Sequence, residues 1–113
     1  EVNRFLNRIP SEHLHLTDFS FHSIALILTK LNRSKTLLEF IQDAFQDGAV
    51  RLVRLAPTDM ADVSHAMEQF RLDFDDAYQH VTAAKHNLVL VSFDADFDRT
   101  DRGRKTPGEI AQD

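Results

Sequence analysis

At 113 residues the chain has the length of one domain and can bury a single core. Its 42% apolar and 27% charged residues are those of an ordinary globular protein, and the net charge of −5 argues against one that simply coats nucleic acid. The absence of cysteine excludes a disulfide framework, a thiolate zinc site and a cysteine nucleophile, and fits a cytoplasmic protein. No apolar run approaches the ~20 residues of a membrane span, and no signal peptide is visible.

Val2, Phe5, Leu6 and Ile9 recur at helical spacing, so the first residues read as an amphipathic helix stopped by Pro10. Because this pattern starts directly at Glu1, an N-terminal segment is expected ahead of it. "HLHLTD" (13–18) alternates as a short strand would, with His13 and His15 on one face. The apolar stretch from Ser20 to Leu31 predicts a nearly buried helix capped by Asp18 or Ser20. A second helix runs from Ser34, its cap, to Gly48, with Leu37, Leu38, Ile41 and Phe45 on one face. "AVRLVRLA" (49–56) reads as a strand, and Pro57 to Phe70 as a helix capped by Thr58. Asp73 to Asn87 predicts another helix, with Ala77, Val81 and Ala84 inward. Leu88 to Phe93, "LVLVSF", is a continuous apolar run of the kind buried on both faces of a parallel sheet. The residues after Phe93 read as loop, and 107–113 as a tail.

Helices alternating with short apolar strands predict an α/β domain over 1–113, a three-layer αβα sandwich around a short parallel sheet. Such sheets place their sites beyond the carboxyl ends of the strands. Asp94 comes immediately after "LVLVSF", and the helix opened by Asp75 and Asp76 leads through one turn into that run. Its N-terminus therefore belongs at the same edge, which brings Asp76 and Asp94 together. Crowded carboxylates repel unless a cation neutralises them, and all-oxygen ligands suit Mg²⁺ or Mn²⁺. Asp76, Asp94 and Asp96 are the candidate ligands, Asp76 and Asp94 the catalytic pair. Arg99, Arg102, Arg104 and Lys105 are placed to hold the phosphates of a phosphodiester.

Each of these residues also has a structural reading. Aspartates at a helix start are favoured by capping and by the helix dipole, and for Asp73, Asp75 and Asp76 alone that account is the stronger. Asp96, Asp98 and Asp101 alternate with arginines as a solvated, locally paired loop would, a reading that fits Asp101 best. Asp94 has no capping partner that the sequence reveals. His13 and His15, with His22 close in sequence, would need a third ligand and a closed second shell for zinc, and read better as an exposed pair on an edge strand, while Ser23 lacks a nucleophile elbow.

"LDFDDAYQHVTAAKHNLVLVSFDADFDR" (72–99) resembles the C-terminal half of PIN-domain proteins, the nuclease family that includes VapC-type toxins. The resemblance is carried over about residues 71 to 110 by Asp76-Ala77, Ala83-Ala84, "LVSFD", Asp96-Phe97, and Thr106-Pro107 with Glu109 close behind. It implies an αβα sandwich and Mg²⁺- or Mn²⁺-dependent cleavage of RNA, with an antitoxin protein as partner, while the apolar helix faces Phe5 to Ile9 and Phe40 to Phe45 could serve a homodimer. Asp76 matches the family's third acidic ligand and Asp94 its fourth. The first belongs to an N-terminal strand that the chain lacks. The second falls where this chain has Ser23, with His22 beside it and Asp18 as a displaced substitute. Such losses imply weakened metal affinity, so the alternative is an inactive PIN-like interaction domain.

Overall fold

The computed structural model describes residues 9–112, with the side chains of the last two left aside. The helix expected over the first residues lies outside them. The described chain forms two compact units, residues 9–54 and residues 55–112. Its fold is α/β, mostly helical with one short parallel sheet.

In residues 9–54 a 3-10 turn at Ser11–His13 leads into strand β1, His15–Thr17. Thr17 is buried, and its Oγ1 accepts the Ser20 N–H at 2.9 Å, which ends the strand and caps helix α1, Asp18–Lys30. The cap is thus one residue ahead of the expected Asp18; a threonine at the boundary closes a strand and opens a helix equally well. Asn32, in the left-handed region, turns the chain into helix α2, Ser34–Ile41. Ser34 is the first residue of that helix rather than its cap, which falls on Arg33. Helix α2 widens into a π turn over Gln42–Gln46, and strand β2, Arg51–Val53, then pairs with β1. The register sets His15 against Arg51, Leu16 against Leu52 and Thr17 against Val53. Parallel strands need a long crossover, supplied here by α1 and α2. Phe45 stacks edge-on against Phe21 and Phe40, with ring centres 5.7 and 6.2 Å away, whereas Leu26, Ile27, Leu31 and Leu38 stay exposed, so the stretch from Ser20 to Leu31 is not the nearly buried helix its sequence predicts.

In residues 55–112 a 3-10 turn at Pro57–Asp59 opens helix α3, Met60–Phe70. Asp59, not Thr58, closes this start: its Oδ2 accepts the Ala56 N–H at 2.7 Å and pairs with Lys85 Nζ at 2.7 Å. Helix α4, Phe74–Lys85, packs along α3. Small residues allow the approach: Ala66, Ala77 and Ala83 are buried together with Val63, Val81 and Leu72. The buried Tyr78 hydroxyl accepts the Leu55 N–H at 3.1 Å, and its carbonyl accepts the Thr82 hydroxyl at 2.7 Å. Between the helices Arg71 adopts φ 55°, a left-handed conformation that costs a non-glycine residue roughly 1–2 kcal/mol.

The run Leu88 to Phe93 departs from expectation. It is extended but forms no named strand; one parallel bridge joins Val91 to Lys105. The Ser92 N–H donates to the Lys105 carbonyl at 2.9 Å, and the Lys105 N–H to the Leu90 carbonyl at 2.8 Å. Val89 and Phe93 are 66% and 63% exposed. An apolar run signals a tendency to be buried, but a strand also needs a neighbour of matching length, and among the described residues that neighbour is a single residue long. The expected tail instead forms helix α5, Pro107–Gln112. Thr106 and Glu109 bond reciprocally to each other's N–H at 3.1 Å, and Pro107 occupies the first helical position.

Gly48 owes its place to proximity, since an added Cβ would lie 2.7 Å from the carbonyl oxygens of Asp43 and Ala44. Gly48→Ala is expected to lower unfolding stability by at least about 1 kcal/mol in denaturant titration. Val63, 1% exposed, is the corresponding probe of the α3–α4 seam. Val63→Ala should lower the unfolding free energy by about 2 kcal/mol, read as a lower urea midpoint at unchanged slope.

Candidate metal centre

Three elements of residues 55–112 converge on one group of carboxylates. Asp76 lies in the first turn of α4, directly before the fully buried Ala77, so the seam with α3 fixes its orientation. Asp94 ends the extended run, and Asp96 stands in the adjoining 3-10 turn, Ala95–Arg99. Carboxylate oxygens of Asp76, Asp94 and Asp96 all lie within 4.8 Å of one another. A second grouping with the same spacing joins Asp76 to Asp73 and Asp75, residues for which the sequence favoured helix capping. Asp73 does occupy the N-cap position of α4, but its side chain makes no cap bond.

Asp94 has a structural role that the sequence did not reveal. Its Oδ1 accepts the Asp96 N–H at 2.9 Å, capping the 3-10 turn, while its own N–H donates to Ser92 Oγ at 3.0 Å. A turn of five residues leaves no periodic signal to betray its cap. Burial pushes the Asp76 carboxyl above its ordinary value, and the neighbouring charges of Asp75, Asp94, Asp96 and Asp73 push the same way. At such spacing each pair of charges costs roughly 1–4 kcal/mol between aqueous and partly shielded surroundings.

The four basic residues each have contacts within the fold. Arg99 Nη2 pairs with Asp96 Oδ1 at 2.8 Å, while Nη1 donates to the Arg71 carbonyl. Arg104 Nε lies 3.2 Å from Asp98 Oδ1, and its Nη1 donates to the Ser92 carbonyl at 3.2 Å. The Nε–H of Arg104 is buried without a well-directed hydrogen bond, so Asp98 compensates it by charge rather than by geometry. Lys105 reaches Glu109 at 3.9 Å. Among the described residues Arg102 donates only to neutral acceptors, the Leu88 carbonyl at 3.2 Å and Asn87 Oδ1 at 3.5 Å. Asp101 lies 3.6 Å from Nε2 of the buried His80. Ser23 stands on α1, in residues 9–54.

The sequence profile of the PIN domain matches residues 1–103, which span both units. The chain belongs to the PIN-domain family. Neither curated proteins nor solved structures give a significant match. PIN domains are generally nucleases, usually dependent on divalent metal. The donor set of this PIN domain fits that chemistry: carboxylate oxygens alone, with no imidazole or thiolate among them, suit hard ions such as Mg²⁺ and Mn²⁺. Among the described residues no helix is long and apolar enough to cross a membrane.

Unfolded, Asp76 loses its proton near 3.8; folded, it does so only at higher pH. It therefore penalises folding progressively as pH rises from 3.8 through its folded pKa, fully above that, and not well below 3.8. In EDTA at neutral pH, Asp76→Asn is expected to melt a few degrees above the parent protein, the gap closing near pH 3. Excess Mn²⁺ should raise the parent's melting temperature more than the variant's. A variant that melts lower under all these conditions would count against a strained carboxylate cluster.

Proposed function

We propose that this PIN domain is a divalent-metal-dependent ribonuclease, in which Asp76 and Asp94 hold Mg²⁺ or Mn²⁺ and Asp96 completes the ligand set. The observation that carries the reading is the convergence of these three carboxylates at the start of α4 and the end of the extended run. A bound divalent ion supplies a Lewis acid for a phosphoryl oxygen and lowers the pKa of water. The chain's part is to hold three acidic groups in place. The N-cap bond keeps Asp94 fixed, and the α3–α4 seam keeps Asp76 fixed. Arg99 balances the charge of Asp96 and is close enough to meet a phosphate as well. Arg102, Arg104 and Lys105 steer the RNA backbone toward the cluster. The likeness of residues 71 to 110 to PIN-domain proteins, a family that includes VapC-type toxins, supports a further step: a toxin acting on cytoplasmic RNA and restrained by an antitoxin protein.

A second reading is a PIN-like interaction domain without catalysis. It is favoured by Ser23 at the place of an acidic ligand and by the protein partners already held by Asp94 and Asp96.

An RNA-cleavage assay in Mn²⁺ decides between them. Parent protein is expected to cut single-stranded RNA and to stop in EDTA. Asp76→Asn and Asp94→Asn should each lose roughly 100-fold in rate, at the upper end of what a displaced metal environment costs. Cleavage unchanged in Asp94→Asn would remove this site, and no cleavage by the parent at any Mn²⁺ concentration would leave the interaction domain.

A further inference from the structure

A half-open groove of about 270 Å³ lies along the later turns of α4. His80 and Ala83 contribute to one side, Leu88, Val89 and Leu90 form an apolar wall, and Arg102 to Lys105 form the rim. The wall is exposed to the groove's occupant, since Val89 keeps 66% of its surface. His80 is fixed and inaccessible, 6% exposed and stacked edge-on against Phe70 with ring centres 5.2 Å apart. The rim holds the one feature that selects a ligand. Arg99, Arg104 and Lys105 each have a carboxylate within 4.0 Å, but among the described residues Arg102 has none. Both of its hydrogen bonds leave from Nη2 to neutral oxygens, one of them at 3.5 Å, which leaves most of a guanidinium's five N–H groups for another acceptor. Asp101, its neighbour in sequence, faces His80.

An apolar wall beside an uncompensated, planar cation matches a ligand with a flat, poorly hydrated body and an anionic group. A nucleotide has both, and RNA-binding sites pair splayed bases with such surfaces and phosphates with arginine. From Asp76 to Ala83 is seven residues along α4, about 10 Å of helix, and Val89 precedes Asp94 by five residues, up to roughly 16 Å of extended chain, so the groove lies beyond the nucleotide next to the cluster. We propose that this groove is a substrate subsite, in which Leu88 to Leu90 pack against the base of a nucleotide two or more steps along the strand from the scissile phosphate and Arg102 holds that nucleotide's phosphate. The proposal rests on the ribonuclease reading for its substrate.

Its test is the binding of a fluorescein-labelled single-stranded RNA decamer, followed by anisotropy in EDTA so that nothing is cut. Arg102→Gln should weaken binding about 10-fold and flatten the dependence of log affinity on log salt by about 0.7, the share of one phosphate contact on a single strand. Arg102→Lys should recover most of that loss. Val89→Glu, at an exposed position where folding is not at stake, should weaken binding at least as much as Arg102→Gln. If Arg102→Gln lowers the melting temperature, Val89→Glu still decides. Parent-like binding by Val89→Glu overturns the proposal, as does tighter binding of a labelled octaglutamate peptide than of RNA. In Mn²⁺, Arg102→Gln should raise KM with kcat nearly unchanged. Cleavage that needs Asp94 while binding ignores Val89 and Arg102 removes the groove and keeps the nuclease. RNA held by the groove without any cleavage removes the nuclease and keeps the groove.

Discussion

The close seam between α3 and α4 is the contact on which the rest of residues 55–112 depends. Ala77 has no exposed surface at all, and Ala66 and Val63 meet the same seam. A buried methyl at that position fixes the rotation of α4 about its own axis, because any other orientation would either open a void or drive a larger side chain into α3. Asp76, one residue earlier, inherits that orientation. A half-buried carboxylate with four like-charged neighbours is thus held in place by packing that contains no charge. Electrostatics alone would disperse such a group; apolar contact resists it.

The segment from Asp94 to Lys105 shows the opposite balance. Its acidic and basic residues largely satisfy each other: Asp96 with Arg99, Asp98 with Arg104, and, through helix α5, Lys105 with Glu109. The exposed pairs among them, Asp96–Arg99 and Lys105–Glu109, add little stability, about 0–1 kcal/mol each. They do give an irregular segment a defined course, helped by Thr100, whose hydroxyl donates to the Phe97 carbonyl and accepts the Gly103 N–H. Phe97, 3% exposed, anchors the segment by burial.

Much of this was legible in the sequence, and the exceptions have physical causes. Helices announced themselves through apolar spacing, and the proximity of Asp76 and Asp94 could be inferred from a helix that returns to the edge where the next extended run ends. The strand expected at Leu88 to Phe93 was not realised as one, because composition says nothing of the neighbour that a strand requires. Caps were displaced by a residue at Thr17 and Asp59, since several adjacent side chains could serve and tertiary contacts choose. The role of Asp94 as a cap was invisible because a 3-10 turn has too few residues to show a period. The division of Arg99, Arg102, Arg104 and Lys105 between paired and unpaired was likewise hidden: partners such as Asn87 and Leu88 come from elsewhere in the fold.

The left-handed residue at the α3–α4 junction reaches further than its local geometry. With Arg71 at φ 55°, its carbonyl receives one arm of the Arg99 guanidinium, whose other arm holds Asp96. The junction and the carboxylate cluster therefore share a rigid two-armed tether. Arg99 acts as a resident counter-charge on Asp96, and its position depends on a backbone conformation at the surface. A substitution that moved the Arg71 carbonyl would therefore loosen Arg99 and change the charge balance at Asp96, although Arg71 is no member of the carboxylate cluster.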